Sequence, residues 1–481
     1  MGSRAEITRA WDLFHLGAFA EAESLLASIP EKPETIQIHL SIANRRDDYD
    51  AKRKFGALLA RCEEPRLATL GRANENSALA ILGLPLNEWL PATSNWAKAE
   101  VAYSRAVIAF VGGTPDAVRS ELAQALPQTA EQRVRYAALR AWLYGLREQF
   151  EKQGTFLLHA LSLAIDQDVD RGLQASIAAS LAPLARELDL QGLGDRAEAL
   201  LGSVAWPQDI STSRFYTQRA LAWRKALGGG WIPALHLLDG ALGIAPDAMR
   251  RGLIFADRAR ISNAVGESLT AVSSRANAFD SFDQIDWNRA RIDEQTGVFA
   301  AMDVLGAERE LAQRLFDRAD AVNVYTFAGL GRGRRPIAFR EFALSHLSDG
   351  DEALEHAQAA YKIFKELKYI HRATSCALRA VELGGGARWR ERVERLIADY
   401  PRSLAAREYE RMTAPVARIR GRMREVAELL VSSNKTAREI GEALGMAEGT
   451  VRVHIKHMNK ILNVQSRSQL VRLFLGATSA A

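Results

Sequence analysis

From Ile7 to about Tyr400, apolar residues recur three and four positions apart, Ala and Leu dominate, and the alternation of β-branched residues that marks strands is scarce. That pattern predicts helix almost throughout. Within it a loose unit recurs, in which one helix ends near a Gly, a short turn follows, and a second helix opens with an Ala-containing apolar stripe. The first runs through Trp11, Phe14, Leu16, Gly17, Phe19 and Ala22, and a later one through Leu347, Gly350, Leu354, Ala357, Ala360, Ile363 and Phe364. Weaker versions surround Gly112 to Ala117, Gly145 to Phe150, Leu227 to Leu235 and Ala264 to Ala271. Gly384-Gly385-Gly386 interrupts the last pairs, and an Arg/Glu-rich helix is expected after Pro401, before Thr413-Ala414-Pro415.

The pattern changes near the C-terminus. Arg424 to Leu430 has the apolar period of a helix, and Ser432-Ser433-Asn434-Lys435 breaks it. Thr436-Ala437-Arg438-Glu439 then reads as a capping box, in which the Thr hydroxyl and the Glu carboxylate satisfy free N–H groups at a helix start. That second helix continues through Ile440 and Leu444 to Gly445, a residue suited to a left-handed helix end. After the short turn Gly445-Met446-Ala447, a third helix from about Glu448 to Leu462 carries Val451, Ile455, Met458 and Leu462 on one stripe. Arg452, Lys456 and Lys460 share another face by the four-residue spacing. Ser466-Arg467-Ser468-Gln469 offers a further capping box, opening a fourth helix with Leu470, Val471, Leu473 and Phe474.

The N-terminal units resemble tetratricopeptide repeats, whose period of about 34 residues leaves room here for roughly eight to eleven helical pairs. Gly and Ala let paired helices approach, aromatic residues fill the space between pairs, and stacking buries each pair's remaining apolar face. The expected fold is therefore all-α, a tetratricopeptide-like α-solenoid over residues 1–400. Such a scaffold implies a concave surface for a peptide, protein or small-molecule effector. Trp223 and Trp231 flank Gly228-Gly229-Gly230, and Arg332, Arg334 and Arg335 precede Pro336. These are read as core aromatics and exposed loops in preference to a ligand site. Gly329-Leu330-Gly331-Arg332-Gly333 lacks the preceding strand and the Gly-Lys-Ser/Thr ending of a phosphate loop, and is read as a connection.

Charge sharpens the division of the chain. The 481 residues carry a formal net charge of +5. Residues 415–481 hold 11 Lys and Arg against 5 Asp and Glu, whereas the first 414 hold 52 against 53. A compact basic segment on a neutral body suits contact with a polyanion, because phosphate neutralisation is the main source of affinity for nucleic acid that does not depend on sequence. No stretch approaches the roughly 18 apolar residues of a membrane span, and the N-terminal Met1-Gly2-Ser3-Arg4 leads into no secretory segment. A cytoplasmic protein without membrane contact is expected. Cys62 and Cys376 are the only cysteines, too few for a disulfide framework or a thiolate zinc site, and are expected as small core residues. The histidines, among them His15, His39 and His159, are scattered. With no catalytic constellation, no metal site and no cofactor motif, an enzyme is not expected.

Three segments of the basic region, Glu439-Ile440-x-x-x-Leu444, Thr450-Val451-Arg452-Val453-His454-Ile455-Lys456 and Val464-x-Ser466-Arg467, together resemble the LuxR-type, or GerE, four-helix DNA-binding domain. The chain departs from that pattern in three places. Gly421-Arg422-Met423-Arg424-Glu425 replaces the usual Leu-Thr-x-Arg-Glu, Ser433-Asn434 replaces a Gly, and Ala447 stands where a capping Ser is common. The resemblance implies a helix-turn-helix domain at 418–476, joined to the solenoid by a linker helix at 401–417, with the third helix in the major groove of double-stranded DNA and the fourth in a homodimer contact. It puts Arg452, Val453 and Lys456 at base-contacting positions. Arg and Lys can donate to guanine, and Val can meet a thymine methyl. Lys435, Thr436, Thr450, His457 and Lys460 are then expected on phosphates. The expected function is a sequence-specific bacterial transcription regulator, with RNA polymerase as a further partner and the solenoid as sensor. The competing reading is a protein-interaction adaptor with weak, sequence-indifferent DNA affinity.

Overall fold

The computed structural model describes residues 4–46, 48–188, 193–204, 211–245, 247–285, 287, 292–321, 333–413, 419, 421–432, 435–462, 464 and 466–471. Among these residues there are twenty-five α-helices and no strand. All six recurring units named above are pairs of consecutive, packed helices. Arg4–Leu16 pairs with Phe19–Leu26, Asn95–Val111 with Pro115–Ala123, Ala130–Leu146 with Phe150–Asp166, Ser211–Leu227 with Trp231–Gly243, Ala248–Val265 with Ser268–Asp283, and Arg334–Leu347 with Gly350–Glu366. The turns need backbone freedom at Gly17 (φ 78°) and Gly350 (φ 56°). Side-chain caps begin several of the helices. Thr129 and Gln132 form a reciprocal capping box, and Asp247 accepts from the Arg250 N–H at 2.8 Å, satisfying donors that a helix start leaves open.

Small residues determine how closely pairs approach. A Cβ on Gly71 would lie 2.4 Å from the backbone nitrogen of Ala60, so helices Tyr49–Leu59 and Pro65–Ile81 can cross only at a glycine contact. Between pairs, one continuous apolar core runs from Val134 to Tyr409, and smaller clusters sit under the first hairpin and within the C-terminal helices. Cys376 is buried, but Cys62 is only half-buried because it follows the end of helix Tyr49–Leu59, where the core thins.

The array curls back on itself. Helix Arg171–Leu188 packs against the first and third helices and also against helix Ile370–Glu382. On the first side Arg45 bonds Asp170 twice at 2.7 Å and Glu131 at 2.7 Å. Burial opposes ionisation of Asp170, but contact with Arg45 outweighs it and holds the carboxyl below its ordinary range. On the other side Phe150 meets Tyr369 edge to face at 5.2 Å, Lys368 bonds Glu151 at 2.5 Å, and Arg334 bonds Glu148 and Glu366 at 2.7 and 2.8 Å. Arg334 and Arg335 therefore open a helix instead of lying in a loop. Pro336 fits there because a first turn does not need its missing N–H. Gly329, Leu330, Gly331 and Arg332 lie outside the described residues.

The Arg/Glu-rich segment after Pro401 forms helix Leu404–Thr413, and this helix is part of the array. Leu404, 2% exposed, packs against Trp223 and Ala264 with Trp231 alongside. Glu408 reaches Arg260, and the Tyr409 hydroxyl donates to Glu394 at 2.7 Å. At the Gly228-Gly229-Gly230 turn, Gly229 has φ 80° and a Cβ there would lie 3.0 Å from Arg402 Cβ, so the turn closes directly on the start of this helix. Of the expected linker at 401–417, residues 414–417 lie outside the described residues.

Candidate nucleic-acid interface

The C-terminal helices Arg422–Ser432, Ala437–Leu444 and Glu448–Leu462, with a helical segment at 467–471, enclose a core of their own. Val426, Ala427 and Leu430 from the first, Ile440 from the second, Val451, Met458 and Leu462 from the third, and Leu470 are all buried. The stripe that the spacing selects on the third helix is thus the stripe that packs, with Ile455 half-buried beside it. Burying one face leaves the opposite one in solvent.

The join between the second and third helices is built from local chemistry. The Thr436 N–H donates to Glu439 Oε2 at 2.6 Å and the Glu439 N–H donates to Thr436 Oγ1 at 3.3 Å, a complete capping box. The bond from the Thr436 backbone, with its hydroxyl second, holds the Glu439 carboxyl below its ordinary range. At the far end Gly445 has φ 65°, and the Met446 N–H donates to the Gly441 carbonyl at 2.8 Å. A Cβ on Gly441 would sit 2.5 Å from the Met446 carbonyl oxygen, so this turn folds tightly only over a glycine. The backbone carbonyl of Ala447 accepts from Thr450 and Val451 at 2.9 and 3.2 Å. The third helix therefore starts cleanly without the capping Ser.

Each sequence-predicted site residue stands on the surface. Arg452, Val453, Lys456, His457 and Lys460 are exposed on the third helix, Thr450 is exposed in its first turn, and Lys435 and Thr436 are exposed before and at the start of the second. Val453 is 51% exposed, an apolar side chain on a helix face otherwise lined with cations. Arg452 is drawn back along its helix by Glu448, with contacts of 2.6 and 2.9 Å.

Two contributors escaped the reading of the sequence. Gly441 looks like an ordinary helix interior, and its requirement arises only where the chain folds back over it. Arg467 donates to the Lys435 carbonyl at 2.6 Å, fastening the start of the fourth helix to the approach of the second and so positioning Lys435 and Thr436. Ser466 caps that helix by accepting from the Gln469 N–H at 3.1 Å. Ser433, Asn434, Leu473 and Phe474 lie outside the described residues.

Residues 421–474 match the family model of bacterial regulatory proteins of the LuxR family. No curated protein matches the chain. Among the described residues no helix is long and apolar enough to cross a membrane. The C-terminal unit is thus a LuxR-type helix-turn-helix domain, a DNA-binding module of transcription regulators.

Proposed function

We propose that this chain, which carries a LuxR-type DNA-binding domain at residues 421–474, is a sequence-specific bacterial transcription regulator whose helical array senses a ligand or partner and governs that domain. The observation that carries the reading is the exposed face of helix Glu448–Leu462, where Arg452, Lys456 and Lys460 repeat at four-residue spacing around the exposed Val453. A helix of this kind fits the major groove, with guanidinium and ammonium donors for guanine N7 and O6 and a methyl surface for thymine. Arg452, Val453 and Lys456 are assigned to bases. Lys435, Thr436, Thr450, His457 and Lys460 are assigned to phosphates, which position the helix without reading sequence.

The Glu448–Arg452 pair does not argue against this role. Both side chains are largely in water, where such a pair contributes about 0.3 to 0.5 kcal/mol, less than the roughly 1 to 3 kcal/mol of a good bidentate base contact. Glu448 instead keeps Arg452 ordered until a base replaces it. Binding as a homodimer on a two-fold related site, recruitment of RNA polymerase and a cytoplasmic location complete the proposal.

The test is selection of genomic fragments bound by the purified full chain, followed by titration of the best site against scrambled DNA at fixed, near-physiological salt. A discrete motif bound at least ~10³-fold more tightly supports a regulator, and its half-site spacing reports the dimer geometry. Weak binding that falls steeply with salt and selects no motif supports the adaptor reading.

A further inference from the structure

The inside of the curled array is polar where an apolar solenoid core would be expected. Arg260, on helix Ala248–Val265, contacts Asp303 at 2.7 Å, donates to Ser375 Oγ at 3.0 Å, and reaches Glu408 only through long contacts of 3.4 and 3.5 Å. Beside it opens a cleft with an empty volume of about 410 Å³, part of it open to solvent, within the size range of small-molecule sites. Its charged wall is Arg260, Arg372 and His371, with no carboxylate among the lining residues, and its apolar wall is Trp223, Leu227 and Leu404. Trp223 is 7% exposed, and its buried indole N–H has no acceptor among the described residues. The Arg260 guanidinium lies 5.4 Å from the centre of that ring. A buried donor without an acceptor is costly, and here it stands next to a cation whose third carboxylate partner is poorly seated.

We propose that this cleft binds a small organic carboxylate with an apolar body, the carboxylate taking Arg260 from Glu408 and accepting from the Trp223 indole N–H, the body lying against Trp223, Leu227 and Leu404. The occupant acts on the rest of the molecule through helix Leu404–Thr413, which supplies both Leu404 to the wall and the displaced Glu408, and which is the last described helix before the DNA-binding domain. This second step rests on the regulator reading, whereas binding in the cleft does not.

The experiment uses the full chain without DNA. Benzoate, phenylacetate and hexanoate, with benzamide and inorganic phosphate as controls, are titrated by calorimetry into wild type, Glu408→Gln and Leu227→Trp. Glu408→Gln keeps shape and removes the competing charge, so it should bind the best carboxylate about tenfold more tightly than wild type, a gain of about 1.4 kcal/mol. Leu227→Trp fills the cleft from its half-buried edge and should abolish binding while circular dichroism stays unchanged. Absence of saturable carboxylate binding to Glu408→Gln up to about 10 mM, a range well beyond weak millimolar affinity, overturns the proposal. So does equal binding by benzamide, binding of phosphate alone, or binding that survives Leu227→Trp. Saturable binding that leaves DNA affinity unchanged retains the site and removes only its link to the DNA-binding domain.

Discussion

At the scale of single residues, the exposed stripe of helix Glu448–Leu462 separates two kinds of contact with different signatures. Arg452→Ala or Lys456→Ala should cost roughly 1 to 3 kcal/mol on the selected site and little on random DNA. Lys435→Ala or Lys460→Ala should weaken both alike and reduce the salt slope by about one. Titrations on specific and scrambled duplexes at several salt concentrations distinguish them, and equal losses for Arg452→Ala on both DNAs would remove its base-reading role. Inside the array, His346 reports on acidity. Burial, with Arg379 and Arg260 nearby, pushes its pKa down to about 3, so the folded chain holds the ring neutral while the unfolded chain protonates it near its ordinary value of about 6.5. The unfolded state binds the extra proton, and stability should fall as pH drops from about 6.5 towards 3. Urea midpoints across that range should decline less steeply in His346→Leu than in wild type.

At the scale of elements, burial and capping differ in weight. Thr436 is exposed and its contribution is the capping box, so Thr436→Ala should cost about 1 kcal/mol, confined to the C-terminal domain. Leu404 is 2% exposed against Trp223 and Ala264, and Leu404→Ala should cost about 2 to 5 kcal/mol, because a cavity is added to the lost burial. Amide exchange resolves the two. The first variant should speed exchange in helix Ala437–Leu444, and the second in helix Leu404–Thr413. The expectation of a helix after Pro401 came from composition, and its length was readable. Its seat inside the array was not, because the partners of Leu404 and Glu408 lie near residues 223 and 260, far outside any local pattern.

At the scale of the whole molecule, closure of the array joins an apolar contact to surface ion pairs, and the magnitudes decide between them. Arg334 and Lys368 are about half exposed in their pairs with Glu148 and Glu151, and exposed pairs contribute about 0 to 1 kcal/mol. Phe150 is 6% exposed and packs edge to face on Tyr369, so Phe150→Ala should cost about 3 to 5 kcal/mol. Chemical denaturation should therefore register Phe150→Ala strongly and Glu148→Gln hardly at all. Small-angle scattering should show an enlarged radius of gyration for the first variant alone.

Local order was legible in the chain from end to end. Helix periods, the six turns between paired helices, the capping box at Thr436, the stop at Gly445 and the buried and exposed stripes of helix Glu448–Leu462 all follow from residues within a few positions of one another. Spacing, turn chemistry and capping act over that range, and the net positive charge of the last residues needs no geometry at all. Closure of the array by Phe150 and Tyr369, the glycine contact under Met446, the docking of helix Leu404–Thr413 and the polar cleft around Arg260 belong to the folded chain alone. Each joins side chains or backbone whose meeting depends on the summed angles of intervening turns, and small rotations at successive hairpins accumulate into a superhelix that no short stretch of sequence encodes.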